Sequence, residues 1–389
     1  MRKFFVSLAI LGWLMFAGSL GAQQVCPGLP YVANTPEDDL MQAVSGAEKP
    51  EEQIAALDNY AHEHADSKFM PCAYEYYSIA HLKLNNYDKA IEYAGKGLSS
   101  DYKDVMLMMN VVKGYVGGGK VSDSVFEIIN QLPDVITAES HPSRTMKVSD
   151  AEWEKMQQDN AGLASDEHAY AVYAFFQLLP RVSDPGKRLD LLDKFLKAYP
   201  DEADKNAKQI DYDYFVAYKM GNKADKAVEY GEKTLAIDPD NLVVRNLLAY
   251  DYATGRTNPD KAVEYAKKAL ELAGQMKKPE GVTDAQFQQE RDNQSGMAHL
   301  SLGYVNFTRS AKTKKLQPAI EELKTAAALL AANPELQGQA LYYLGYAYES
   351  GYPANHRAAI EALTKATSLP SSWKAQAADL LAKVKRAAR

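Results

Sequence analysis

Apolar residues recur at spacings of three and four along almost the whole chain, and the alternating pattern typical of strands is scarce. Such spacing places the apolar side chains on one face of each successive helix. The pattern therefore predicts an all-α fold built from many short amphipathic helices that are separated by polar turns.

Three segments share the six-residue sequence Asp-Lys-Ala-(Ile/Val)-Glu-Tyr, and their alanines are Ala90, Ala227 and Ala262. The second and third alanines lie 35 positions apart, and the first and second lie 137 apart. The longer spacing is close to four periods of about 34 residues, a length typical of repeats that consist of two helices.

The sequence resembles the tetratricopeptide repeat (TPR) family, and its exported bacterial members in particular, over most of the chain that follows the first residues. Leu344-Gly345 and Tyr348 match the first helix of that repeat, and Ala359 and Leu363 match the second. Small residues let two helices cross closely while large neighbours interdigitate. The resemblance implies a right-handed α-solenoid of about eight helix pairs with a C-terminal capping helix.

The pattern divides the chain into six segments. We expect a leader at 1–22, TPR-like repeats at 23–138, a helical insertion at 139–168, central repeats at 169–273, C-terminal repeats with a long first helix at 274–370, and the capping helix at 371–389. Capping boxes predict helix starts at Ser149 with Glu152 and at Thr283 with Gln286. Residues 139–165 and the loop at 274–283 look like two interruptions of the array. The pattern fits two arrangements equally well. One is a continuous solenoid, and the other is two subarrays that the insertion separates.

The first residues have the layout of a secretory signal peptide. Arg2 and Lys3 precede an apolar run, and small residues end at Ala22. We expect cleavage after Ala22, with Ser19 as a second position and an uncleaved anchor as the alternative. No later stretch predicts a membrane span, so the protein is expected to be exported, either periplasmic or secreted.

Cys26 follows soon after the leader, but lipidation is not expected. The three residues before it are Gln23, Gln24 and Val25, whereas bacterial lipoproteins place small residues directly before the modified cysteine.

Charge and motifs argue against two classes of function. The formal net charge is −7, whereas binding to duplex nucleic acid needs a basic surface. The sequence contains no zinc-protease, nucleophile-elbow or phosphate-loop motif, so we expect no metal, no cofactor and no enzymatic activity. An enzyme site in the insertion, built on His141, Ser149 and Glu152, is the weaker alternative.

The TPR resemblance also implies a concave surface lined by the first helix of each pair. Family positions that contact ligands fall on aromatic and neutral residues here, and tyrosine supplies contact area at a low entropic cost. The alternative is that several of these side chains pack between repeats. The residues are Tyr170, Tyr173, Tyr212, Asn246, Tyr250, Leu300, Tyr304, Phe307, Tyr342 and Tyr346.

The leading interpretation is a non-enzymatic exported scaffold that binds peptide or protein segments in this tyrosine-rich groove. A structural role in envelope or outer-membrane assembly is the alternative, because residues 64–94 are similar to repeats in lipoproteins of that machinery. The sequence names neither the partner nor the oligomeric state.

We predict a disulfide between Cys26 and Cys72, because the chain has two cysteines and export places them in an oxidising compartment. Closing a loop of about 45 residues stabilises the fold by on the order of 4 kcal/mol in the chain-entropy model. Thiol titration of the denatured, unreduced protein should find no free thiol. Two reactive thiols would show that Cys72 is a free buried cysteine and that Cys26 lies on an untethered tail.

Overall fold

The structure is a computed structural model that describes residues 32–98, 103–140 and 149–388. The predicted leader, Cys26 and His141 lie outside the described residues. Cys72 is buried and disulfide-bonded, but its pairing with Cys26 stays a prediction.

The chain forms two compact units, one up to Arg181 and one from Val182 onward. The described part of the first unit contains seven α-helices and a short 3₁₀ turn at Leu179–Arg181. The helices are α1 (Pro36–Ser45), α2 (Pro50–Glu63), α3 (Met70–Lys83), α4 (Tyr87–Leu98), α5 (Val105–Gly118), α6 (Asp123–Ser140) and α7 (Asp150–Leu178).

The described part of the second unit is also helical throughout. Its helices are α8 (Pro185–Ala198), α9 (Glu202–Lys205), α10 (Ala207–Met220), α11 (Ala224–Ile237), α12 (Leu242–Gly255), α13 (Pro259–Gln275), α14 (Asp284–Ser310), α15 (Gln317–Leu329), α16 (Pro334–Ser350), α17 (His356–Ser368) and α18 (Lys374–Ala387).

Consecutive helices pack as pairs within each unit. The first unit holds the pairs α1–α2, α3–α4 and α5–α6, and the second holds α10–α11, α12–α13, α14–α15 and α16–α17. Helix α18 packs on α17 and α16, as expected of a capping helix. The predicted fold class, an all-α solenoid of TPR-like helix pairs, is therefore confirmed for each unit.

Local capping chemistry starts many of these helices. Both predicted capping boxes are present, at Ser149 with Glu152 before α7 and at Thr283 with Gln286 before α14. Each satisfies backbone N–H groups that the first turn of a helix leaves without partners. Helix α7 then continues without interruption to Leu178.

Small residues lie where the two helices of a pair cross. The alanines of the repeated sequence, Ala90, Ala227 and Ala262, are all fully buried. Gly345 on α16 faces Leu363 on α17, and a Cβ added to this glycine would lie 2.5 Å from the Leu363 Cγ atom. A larger side chain therefore has no space at these crossings.

Hydrogen bonds from a tyrosine to a carboxylate join successive helix pairs. The Tyr77 hydroxyl on α3 donates to Asp58 on α2 at 2.7 Å, and the Tyr252 hydroxyl on α12 donates to Glu232 on α11 at 2.6 Å. Tyr214 on α10 makes the same bond to Asp193 on α8. A hydrogen bond to a charged acceptor is stronger than a neutral one, so these bonds add to the stability given by apolar burial.

Aromatic stacking repeats in the same places. The ring of Tyr93, from the shared six-residue sequence, stacks on Tyr77 with centroids 4.3 Å apart, and its counterpart Tyr230 stacks on Tyr214 at 4.8 Å. The last tyrosine of the repeated sequence therefore packs against the first helix of its own pair in both units.

Ala227→Leu is expected to destabilise the second unit by about 1–3 kcal/mol, because the added carbons have no space at the α10–α11 crossing. Ala236→Leu on the same helix is the matched control, because Ala236 is exposed, and its effect should stay within about 0.5 kcal/mol. Urea denaturation followed by circular dichroism measures both. Equal unfolding midpoints for the two variants would contradict the close crossing.

Candidate functional site

Six aromatic rings gather on α14, on α16 and just before α18 in the second unit. We call them the aromatic cluster; they are Tyr304, Phe307, Tyr342, Tyr343, Tyr346 and Trp373. Such rings bury much apolar area and gain further stability from edge-to-face contacts. The cluster combines a rigid interior with an outer edge that meets solvent.

Tyr343 lies at the centre of the cluster. Its ring centroid is 4.9 Å from that of Tyr304, in a T-shaped contact, and 5.5 Å from that of Trp373. Phe307 continues the cluster outward, at 5.8 Å from Tyr343 and 5.1 Å from Tyr346. The Tyr346 side chain is 39% exposed, so an aromatic surface is available to a partner.

A cleft of about 380 Å³ opens beside these rings. We call it the aromatic cleft; its lining residues are Arg256, Phe307, Thr308, Ala311, Leu316, Tyr342, Tyr343, Tyr346 and Ser350. The volume lies near the lower end of the range for ligand pockets, about 300–1,000 Å³. The lining combines apolar walls with hydroxyl groups and one guanidinium, a composition suited to seating side chains.

Burial favours the neutral form of three tyrosine hydroxyls in this region. It raises the pKa of Tyr342 and of Tyr343, and it also raises the pKa of Tyr250 on the neighbouring α12. A neutral phenol can both donate and accept a hydrogen bond. The walls of the cleft therefore carry hydrogen-bonding groups without negative charge.

The positive charge of the cleft belongs to Arg256, whose side chain is positioned by its backbone conformation. It follows the last residue of α12 in the left-handed conformation, with φ 56°. Its guanidinium lies 6.0 Å from the ring centroid of Tyr304 and donates to the Tyr304 hydroxyl at 3.4 Å. This exposed guanidinium can donate hydrogen bonds to an acceptor group on a ligand.

Of the ten predicted groove residues, Phe307, Tyr342 and Tyr346 line the aromatic cleft. Tyr304 belongs to the aromatic cluster but is only 6% exposed, and Leu300 is fully buried. Tyr250 is half-buried, and its hydroxyl donates to Gln339 at 2.9 Å. Asn246 is 1% exposed and donates to the side chain of Gln294 on α14 at 2.8 Å. Asn246 and Tyr304 thus hold helices together and offer little surface to a partner.

The other three predicted residues lie away from the aromatic cluster. Tyr212 on α10 is half-buried, with its ring 6.5 Å from that of Phe215. Tyr170 and Tyr173 lie on α7 in the first unit with rings 5.7 Å apart, and Tyr173 is 51% exposed. Whether any of the ten contacts a partner stays a prediction.

Sequence reasoning missed Tyr343, Trp373 and Arg256. Tyr343 follows a predicted residue directly, and the density of tyrosines between 342 and 348 is a signal that points to it. Trp373 and Arg256 come from loops beside other helices, and no local pattern connects them with α16.

The described ranges contain no group of metal-binding side chains that could hold an ion. None of the helices from residue 32 to 388 is both long and apolar enough to cross a membrane. Ser149 and Glu152, from the predicted enzyme alternative, are bonded to each other in the capping box of α7.

No known family matches the sequence, and neither does any curated protein. Among solved structures, the chain is similar to one from the crystal structure of the APC/C hetero-tetramer Cut9-Hcn1. The two share 15% identity and a TM-score of 0.28, over 91% of this chain and 84% of that chain. A likeness of this size carries no argument about function.

Proposed function

We propose that the protein is a non-enzymatic scaffold that binds an extended segment of a partner protein in the aromatic cleft of its second unit. One observation carries the proposal: packed aromatic rings form a solvent-accessible cleft with polar groups at its rim. Binding energy in protein interfaces concentrates on a few large aromatic and arginine side chains, and the cleft presents both kinds.

The rigidity of the cleft favours binding of a flexible segment. Each ring is held by at least one other ring of the aromatic cluster, and the closely crossing pairs α14–α15 and α16–α17 support them. A preformed site spares the ordering entropy on the protein's side, and only the segment has to become ordered. The partner is expected to place an apolar or aromatic side chain between Phe307 and Tyr346.

We further propose that the scaffold acts outside the cytoplasm. The disulfide at Cys72 supports this location, because structural disulfides persist in oxidising compartments. The leader-like first 22 residues support it as well.

The test is selection of a phage-displayed random peptide library on the purified protein, followed by measurement of Kd for the selected peptides. The variant Tyr342→Ser/Tyr346→Ser should weaken their binding at least about 30-fold, as expected for loss of two central aromatic contacts. The far-ultraviolet circular dichroism spectrum should stay helical, because these rings lie at the edge of the cleft.

The matched control is Tyr170→Ser/Tyr173→Ser, which removes two neighbouring tyrosines from α7 of the first unit. This control should leave Kd within about twofold. The proposal fails if the control abolishes binding while the cleft variant, still folded, binds as the unmodified protein does.

A further inference from the structure

A second cleft, of about 590 Å³, lies beside the aromatic cleft in the second unit. We call it the outer cleft; Lys314 lines it from the turn after α14, and Tyr352 and Pro353 line it from the loop after α16. Ala311 and Ser350 line both clefts. The two clefts are therefore neighbours on one surface, and a segment that fills the aromatic cleft can continue into the outer cleft.

A backbone hydrogen bond joins the two loops that form the outer cleft. The Tyr352 N–H donates to the Lys314 carbonyl at 3.2 Å, and Lys314 itself has the left-handed conformation, with φ 56°. The Tyr352 side chain stays 86% exposed. The walls of the outer cleft are thus held in place while an aromatic side chain at its edge remains free to contact a partner.

Positive charge is concentrated in the turn after α14. The sequence of residues 309–317 is RSAKTKKLQ, with four basic residues and no acidic one. Arg309 forms an ion pair with Asp260. The other three, which we call the basic turn, are exposed and form no ion pair with a carboxylate of the described residues; they are Lys312, Lys314 and Lys315.

The basic turn differs in this respect from the repeated helices of the same unit. On α11, Lys226 and Lys233 pair with Glu229 at 2.7 Å and 3.0 Å, and on α17 Lys365 pairs with Glu361 at 2.9 Å. Each of those lysines has a carboxylate three or four positions away on its own helix. The basic turn has no such neighbour, so its charge is directed at solvent.

The helix dipole does not balance this charge. The basic turn follows the C-terminus of α14, where the partial negative charge amounts to about half an elementary charge and acts within the last turn. Three ammonium groups exceed it. The one acid among the residues lining the outer cleft is Glu349, and its carboxylate is already bonded to the His356 ring at 2.7 Å.

We propose that the segment bound by this surface is acidic. Its apolar or aromatic side chain enters the aromatic cleft, and aspartates or glutamates beside that side chain lie over the outer cleft, near the basic turn. Arg256, which lines the aromatic cleft, adds a fourth cation on the path of the segment. This inference rests on the function proposed above and specifies the chemistry of the partner.

Charge complementarity favours this partner over a second copy of the chain. Two copies that face each other through this surface would bring two basic turns together, and like charges across an interface oppose association. An acidic segment instead supplies the carboxylates that the basic turn lacks. Such exposed charges act mainly on the association rate and on the salt dependence of binding.

The test uses two capped, fluorescein-labelled Gly-Ser peptides and the purified protein. The acidic peptide carries a central tryptophan with two aspartates on each side, and the amide peptide has asparagines in place of the aspartates. Fluorescence anisotropy should give a Kd at least about fivefold lower for the acidic peptide in about 0.05 M NaCl. In about 0.5 M NaCl the two values should approach each other, because salt screens exposed charges.

Two double variants locate the effect. Lys314→Gln/Lys315→Gln should weaken binding of the acidic peptide at least about threefold and leave binding of the amide peptide unchanged. Lys277→Gln/Lys278→Gln is the matched control, because both lysines are exposed and the change in net charge is the same. These residues precede α14, whose 27 residues separate them from the basic turn by about 40 Å. The control should leave both Kd values unchanged.

The variant Tyr342→Ser/Tyr346→Ser separates this inference from the function on which it rests. Equal Kd values for the two peptides, both raised by the tyrosine variant, would overturn the acidic preference and leave the aromatic cleft as the binding site. Equal Kd values that the tyrosine variant does not change, or no binding of either peptide, would count against both.

Two further results would also overturn the acidic segment. One is an equal loss of acidic-peptide binding with the control lysine variant, which would indicate diffuse attraction to basic groups. The other is dimerisation of the unmodified protein in analytical ultracentrifugation that the tyrosine variant abolishes, which would assign the clefts to a second copy. Circular dichroism spectra should show that all the variants stay helical.

Discussion

The close approach of the two helices in each pair is the constraint on which the rest of the structure depends. Ala90, Ala227 and Ala262 are fully buried at these crossings, and Gly345 leaves no room for a Cβ against Leu363. A large residue at any of these places would separate the pair and expose the apolar faces of both helices. The aromatic cluster is one consequence, because its rings lie on helices that such crossings hold in position.

Hydrogen bonds between polar side chains fix the register of successive helix pairs. Apolar faces alone allow neighbouring helices to slide, whereas the bonds from Tyr77 to Asp58 and from Tyr252 to Glu232 each join one atom to another. Glu232 accepts from Tyr265 as well, at 2.7 Å, and pairs with Lys261 at 2.8 Å. Asp58 is exposed and Glu232 is half-buried, so each carboxylate accepts from a tyrosine while it stays in reach of solvent.

Glu75 differs from these carboxylates, because it is 1% exposed and neither of its carboxyl oxygens has a hydrogen-bond partner in the described segments. The two units accordingly present different chemistry. The first holds carboxyl groups whose charges act on the pKa of Glu75 and Glu167, and the second offers aromatic rings with one cation, Arg256.

The amino-acid sequence by itself determined the helices, their pairing and many of their ends. Helical periodicity and the capping boxes at Ser149 and Thr283 depend on residues three or four positions apart, and such interactions are readable along the chain. The repeated alanines are readable for the same reason, since each repeat places them at the same distance from its helix ends.

Only the tertiary structure decided which side chains are accessible. Asn246 and Tyr304 occupy positions that the TPR pattern assigns to the groove, yet contacts with Gln294 and Tyr343 bury them. Arg256, about 50 residues away from Phe307 in the chain, lines the same cleft. Burial and charge balance depend on all neighbours in space, and a short sequence pattern does not specify those neighbours.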